Sequence, residues 1–258
     1  MFAGLLKKDF LLIKNYFLWW LLLMVGLYIV VAAFGAYHDR FYIVMAPIFF
    51  VYFFHAALLP IVVLLLLRAE EKGHYWLHST AGGGKLLLSK LLVGSFVFII
   101  SLVLIDVLAL FSLNVVIPMD YIETPGSEMP YVEGWLLNMG ITGGALYFTI
   151  WGLFLWSIYH SLNAYPMLRK VRWLIVIAVY ILIQTLTSKL MELSFVQKWF
   201  ASWTVNIGEV GETIFGMSGM QMSVINNDLQ VWPVLLTIIF HIMLFLAAAW
   251  LLNRKVEV

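Results

Sequence analysis

Long stretches without charge constrain this chain more than any other feature. Residues 16–35 and 41–67 contain no Asp, Glu, Lys or Arg, and neither do residues 135–159. A helix rises about 1.5 Å per residue, so about 20 apolar residues cross the roughly 30 Å hydrocarbon core of a bilayer. Three further runs have the length and nearly the purity: 91–117 with Asp106, 173–191 with Lys189 near one end, and 231–252 with His241. Only 11% of the 258 residues are charged and 64% are hydrophobic. Soluble domains are about 25% charged, so an ordinary water-soluble fold is excluded. The prediction is an all-α polytopic membrane protein forming a single transmembrane domain over residues 1–258. Its six spans fall near 16–36, 41–67, 91–117, 135–159, 172–191 and 231–252. The first run is longer than the apolar part of a signal peptide, and "FGAYHDR" after it is a poor cleavage site, so it is read as a retained span.

Six spans put both termini on one side, and basic residues choose the side. Lys7, Lys8, Lys14, Arg68, Lys72, Lys85, Lys90, Arg169, Lys170, Arg172, Arg254 and Lys255 fall on one face, twelve of the fifteen Lys and Arg. The other face holds Arg40, Lys189 and Lys198 against nine acids. Both termini are therefore expected in the cytoplasm. At the N-terminus, Phe2, Leu5, Leu6, Phe10, Leu12 and Ile13 share one helical face opposite Lys7, Lys8, Lys14 and Asn15, the pattern of a helix lying among headgroups. Asp9 falls inside the apolar arc and must either find a partner or mark a break. Residues 192–230 are too rich in Trp, Phe, Met and Gly for a solvated loop. Short helices dipping into the outer leaflet, or lying on the membrane surface, are expected there.

The chemistry-bearing candidates are few. The chain has no cysteine, so thiolate metal sites and cysteine nucleophiles are excluded. "EEKGHYWLHSTAGGGKLLLSK", residues 70–90, contains a glycine cluster before a lysine. A phosphate loop needs G-x-x-x-x-G-K-[ST], but Ser79 stands where the first glycine belongs and Leu86 where the hydroxyl belongs. The glycines are read as a flexible turn. His74 and His78 have helical spacing for zinc, yet Tyr75 replaces the glutamate of H-E-x-x-H and no third ligand is evident; no metal site is assigned. Asp106 is the one acid well inside a span, and a carboxylate at mid-helix costs about 2.5–3.5 kcal/mol to insert. That makes it a possible intramembrane functional residue, weighed evenly against a structural hydrogen-bonded role. His55, Asn114, Asn138, His160, Gln184, Thr185, Thr187 and Ser188 read as polar glue between helices. Gly140, Gly143 and Gly144 are expected to permit close packing of the fourth span, and Pro47 and Pro60 to kink the second. No motif for catalysis stands out, and the chain is not read as an enzyme.

The passage after the second span resembles the first cytoplasmic loop of ABC-2 type permeases, the membrane subunits of ABC exporters. Glu70, Gly73, Leu77, Ser79, Thr80, Lys85 and Lys90 fill the family's order of acid, glycine, leucine, hydroxyl turn and basic restart, with "AGGG" in place of the usual proline. The order of spans, interfacial helix and re-entrant segments is also similar to type V exporters. The resemblance implies a permease without a nucleotide site, paired with a second permease chain and with separate ATP-binding subunits that hold ATP and magnesium. It implies coupling through Glu70, Glu71, Lys72, Gly73, His74 and Leu77 on a short helix over 70–78, with residues 160–172 as a lesser contact. The cargo would be hydrophobic or amphipathic, with peptides, as in phenol-soluble modulin exporters, ahead of lipids or drugs; nucleic acid is not implied. The lipid bilayer of a cell membrane would surround it. A non-transporting scaffold or sensor, and an ATP-independent carrier or channel, stay open beside this.

Overall fold

The protein was analysed as a computed structural model that describes residues 2–38, 40–73, 82–113, 131–206 and 228–255. Seven α-helices lie within them: α1 (Phe2–Tyr37), α2 (Met45–Gly73), α3 (Gly83–Phe111), α4 (Tyr131–Ser161), α5 (Arg172–Met191), α6 (Ser194–Phe200) and α7 (Val231–Lys255). All but α6 are long and apolar enough to cross a membrane, and the chain is a multi-pass membrane protein. Each run expected to span lies largely within one of these six helices, but several helices continue past the apolar run. Spanning requires only the apolar stretch, whereas a helix goes on until a breaker stops it. Arg68, Ala69, Glu70, Glu71 and Lys72 are all good helix formers, so α2 runs on to Gly73. Glu70 and Glu71 therefore belong to the end of a spanning helix, where the separate coupling helix was expected to begin. Residues 74–81 lie outside the described residues.

The N-terminal segment corrects a second expectation. In place of a short helix set apart from the first span, α1 runs unbroken for 36 residues, about 54 Å at helical rise. Its buried positions are Asp9, Ile13, Phe17, Met24, Tyr28 and Gly35, spaced by four and seven, so one stripe faces the protein from end to end. Asp9 opens that stripe at zero exposure, while Leu12, assigned to the apolar face, is 37% exposed.

Contacts group the chain into two units, Met1–Met129 with Trp135–Gly152, and Pro130–Gly134 with Leu153–Val258. In the first, α1, α2 and α3 pack against one another around Ile13, Phe17, Leu58, Val62, Leu66, Val93 and Val97. Among the described glycines the tightest is Gly94 on α3, where an added Cβ would stand 2.8 Å from Val63 Cγ2 and 3.0 Å from Leu59 Cδ1. Only a residue without a side chain allows that spacing between α2 and α3. Gly140, Gly143 and Gly144 behave otherwise: nothing lies within 4 Å of a Cβ built on them. The close packing expected of α4 at these glycines finds no counterpart within the described residues. Outward faces are strongly apolar, with Trp19 and Phe53 largely exposed, as suits helices whose solvent is acyl chains.

In the second unit, α4 ends in a tight 3-10 turn over Leu162–Ala164. Arg172 donates to Asn163 and lies 3.9 Å over the ring of Tyr159, closing the connection between α4 and α5. Helix α5 buries no residue. After it, α6 leads into a three-residue antiparallel ladder, with Thr204 opposite Gln230 and Asn206 opposite Asp228. Trp232 stacks on Trp199 at 4.4 Å and meets Trp203 edge-on at 5.7 Å. Of the segment 192–230, residues 207–227 lie outside the described set.

Candidate functional site

Polar side chains of the first unit collect in three places along α3. The first is an ionic ring at its beginning. Lys90 is fully buried and reaches Glu70 Oε2 at 2.7 Å and Asp9 Oδ2 at 3.5 Å. Lys8 donates to Glu70 Oε1 and stands 3.8 Å from Asp9 Oδ1, so each carboxylate faces both ammonium groups. Ser89 Oγ adds a hydrogen bond to Asp9 Oδ2 at 2.7 Å. Two positive and two negative groups cancel, which is the condition under which charges tolerate removal from water. Only Lys8, 36% exposed, keeps contact with the surroundings. The ring ties the start of α1, the end of α2 and the start of α3 together. It also answers the question raised by Asp9, whose partners lie about eighty residues downstream.

The local sequence explains how the ring forms. Gly82, extended at φ −61° and ψ 154°, caps α3, which then begins at Gly83. The glycine cluster is thus the entry to a helix, and Ser89 and Lys90 fall on the first buried turns of α3 along with Leu86, Leu87 and Val93. On α2, an acid near a helix C-terminus opposes the helix dipole. Glu70 offsets this through its two lysines.

Halfway along α3, Ser101 connects three helices. Trp20 Nε1 donates to its Oγ at 2.7 Å, and His55 Nε2 lies 2.9 Å from the same oxygen. His55 Nδ1 lies 2.6 Å from the Val51 carbonyl, which can only accept. In the neutral imidazole Nδ1 therefore carries the hydrogen and Nε2 accepts the Ser101 hydroxyl. The same hydroxyl lies 3.3 Å from Met24 Sδ, a weaker acceptor that competes for its one hydrogen, and His55 acts as the interhelical glue that was anticipated. Nearer the far end of α3, Tyr28 and Ser112 share a hydrogen bond at 2.9 Å.

Asp106 forms the third group. Tyr52 Oη on α2 donates to its Oδ1, and Asn138 Nδ2 on α4 lies 3.0 and 2.9 Å from its two oxygens. The carboxylate is half-buried and bridges three helices. Asn138 Oδ1, itself buried, has no hydrogen-bond partner among the described residues.

The residues assigned to coupling are distributed as follows. Glu70 is 1% exposed and turned into the ionic ring, so its carboxylate forms no part of an open surface. Glu71, next on α2, is partly exposed. Lys72 and Gly73 close the helix, while His74 and Leu77, like His78, Ser79 and Thr80, lie outside the described residues. Among the described residues, no group of three or more His, Asp or Glu is placed to hold a metal ion. Asp9, Ser89, Tyr52 and Ser101 carry central contacts that sequence reasoning did not assign to sites. For Asp9 the signal was present, as an acid within an apolar stripe. A serine or tyrosine inside a span gives no comparable signal.

No protein-family model matches the chain, and no curated protein or solved structure is significantly similar to it.

Proposed function

We infer that the chain is the permease subunit of an ATP-driven ABC exporter of the ABC-2 type, with a type V-like arrangement and both termini in the cytoplasm of a cell. One observation carries the reading beyond the likeness of residues 70–90 to the family's first cytoplasmic loop. The helix that precedes that loop carries Glu70 in its last turn, and Glu70 is bound through buried ions to α1 and α3. Force applied to the loop by an ATPase would reach three spanning helices at once, because buried ion pairs resist separation. The start of α1 would lie at the cytoplasmic headgroups, and the tryptophan-rich segment around α6 at a membrane interface. Trp199, Trp203 and Trp232 fit such a place, since indoles prefer the boundary between lipid and water. The exported molecule would be hydrophobic or amphipathic, a peptide foremost.

The test is co-purification with the product of any ATPase gene neighbouring that of this chain, then ATPase measurement in lipid with and without amphipathic peptides. Association and peptide-stimulated hydrolysis are expected; an ATPase that neither binds the chain nor responds to it overturns the assignment. Asp106 favours a second reading, an ion-coupled carrier working without ATP. Transport by the chain alone in liposomes, lost on Asp106→Asn, would select that alternative.

A further inference from the structure

We propose that Asp106, Asn138 and Tyr52 form a binding site for a primary ammonium group carried on an apolar chain. Asp106 is a carboxylate within a spanning helix, and the groups that contact it, the Tyr52 hydroxyl and the Asn138 amide, are neutral. These donors stabilise the anion, and among the described residues no cation pairs with it. Lys90, the cation buried on the same helix, is 16 residues away, about 24 Å at helical rise.

The acceptors left over define the ligand. Among the described residues, Oδ1 takes both Tyr52 and Asn138, Oδ2 takes Asn138 alone, and the buried Asn138 Oδ1 has no partner. A hard metal ion requires six or more oxygens and finds too few here. An ammonium group brings three donors and one positive charge, which suits a carboxylate oxygen and an amide oxygen on adjoining helices. Val103, Val107 and Phe53, neighbours of Asp106 and Tyr52 along their helices, are exposed on the chain's surface and would give an attached apolar chain a surface to lie on. Asp106 also has the depth for such a ligand. If the ionic ring marks one boundary of a core about 30 Å thick, a carboxylate about 24 Å further on lies close to the other boundary. There the head of a membrane lipid or of a cationic amphipath can reach it while its chain stays in the bilayer.

The site does not depend on the exporter assignment, and equilibrium binding tests it without an ATPase. The full chain is placed in phosphatidylcholine nanodiscs and titrated with dodecylammonium, dodecyltrimethylammonium and dodecanol, with binding beyond that of empty discs measured. Saturable binding is expected for dodecylammonium, at least tenfold weaker for dodecyltrimethylammonium, which has no N–H, and absent for dodecanol. Asp106→Asn should weaken dodecylammonium at least tenfold. Tyr52→Phe, which frees a lone pair on Oδ1, should tighten it severalfold and carries the test where Asp106→Asn fails to fold. Adding phosphatidylethanolamine separates the two sources. Competition identifies a lipid headgroup as the occupant, and unchanged binding identifies a free amphipath; both retain the ammonium site. Equal binding by wild type and Asp106→Asn, equal binding of dodecanol, or no tightening in Tyr52→Phe overturns it.

Discussion

Replacing Lys90 by methionine tests the ionic ring most directly. Methionine keeps most of the volume of the lysine stem and removes the ammonium, so packing changes little while the electrostatics change fully. Lys90 is completely buried and contacts both acids, at 2.7 Å for Glu70 and 3.5 Å for Asp9. After its loss, Asp9 and Glu70 would share Lys8 alone, leaving one net negative charge buried. Breaking a buried pair by removing one partner costs about 3–5 kcal/mol, and contact with both acids places Lys90→Met near the middle of that range, about 4 kcal/mol. The assay is reversible unfolding in mixed micelles by titration with a denaturing detergent. The control is Lys90→Met with Asp9→Asn, which restores neutrality around the surviving Lys8–Glu70 pair and should recover the stability to within about 1.5 kcal/mol of wild type. A single-variant cost below about 1 kcal/mol, or a double variant that merely sums the two singles, would refute the ring as a coupled, charge-balanced unit.

Gly94→Val should destabilise by about 1–3 kcal/mol in the same unfolding assay, because its Cβ would meet Val63 Cγ2 at 2.8 Å. Gly140→Ala, with open space at its Cβ, should lose nothing measurable. Ser101→Ala leaves Trp20 Nε1 and His55 Nε2 without their partner and should cost about 2–6 kcal/mol, at roughly 1–3 for each stranded group. On the proposed coupling role, Glu71→Lys should weaken binding of an ATP-binding subunit, as a pull-down would report. Glu70→Lys should instead shift the unfolding transition itself, since it places a third ammonium in the ring.

The spanning helices were legible because the cost of charge in lipid leaves long uncharged runs in the sequence. The purity that reveals a span conceals its neighbours, however. Residues 91–117 do not show that Ser101 meets Trp20 and His55, because such pairings depend on helix rotation and helix order, neither of which an all-apolar run encodes. Asp9 was legible as an anomaly, but its partners were not. Lys90 resembles any basic residue flanking a span, and Lys8 and Glu70 look equally solvated. Helix ends were read too short for a related reason. Hydropathy falls at Arg68 and at Lys90, whereas the backbone responds to glycines, at Gly73 and Gly82, several residues further out. The glycines of α4 were over-read, since small residues permit close packing without requiring it.

The ionic ring also sets a timetable for biogenesis. Asp9 leaves the ribosome 81 residues before Lys90, a delay of about 4–16 s at 5–20 residues per second. Until α3 follows, the first two helices have Asp9 and Glu70 in place with Lys8 as the one ring ammonium yet made. Translation stalled before residue 90 should therefore yield a helical hairpin that surveillance proteases degrade faster than one stalled after residue 111, and pulse-chase of the two truncated chains would measure the difference. Completion of the third helix thus becomes the point at which the nascent chain passes from a degradable intermediate to a retained one.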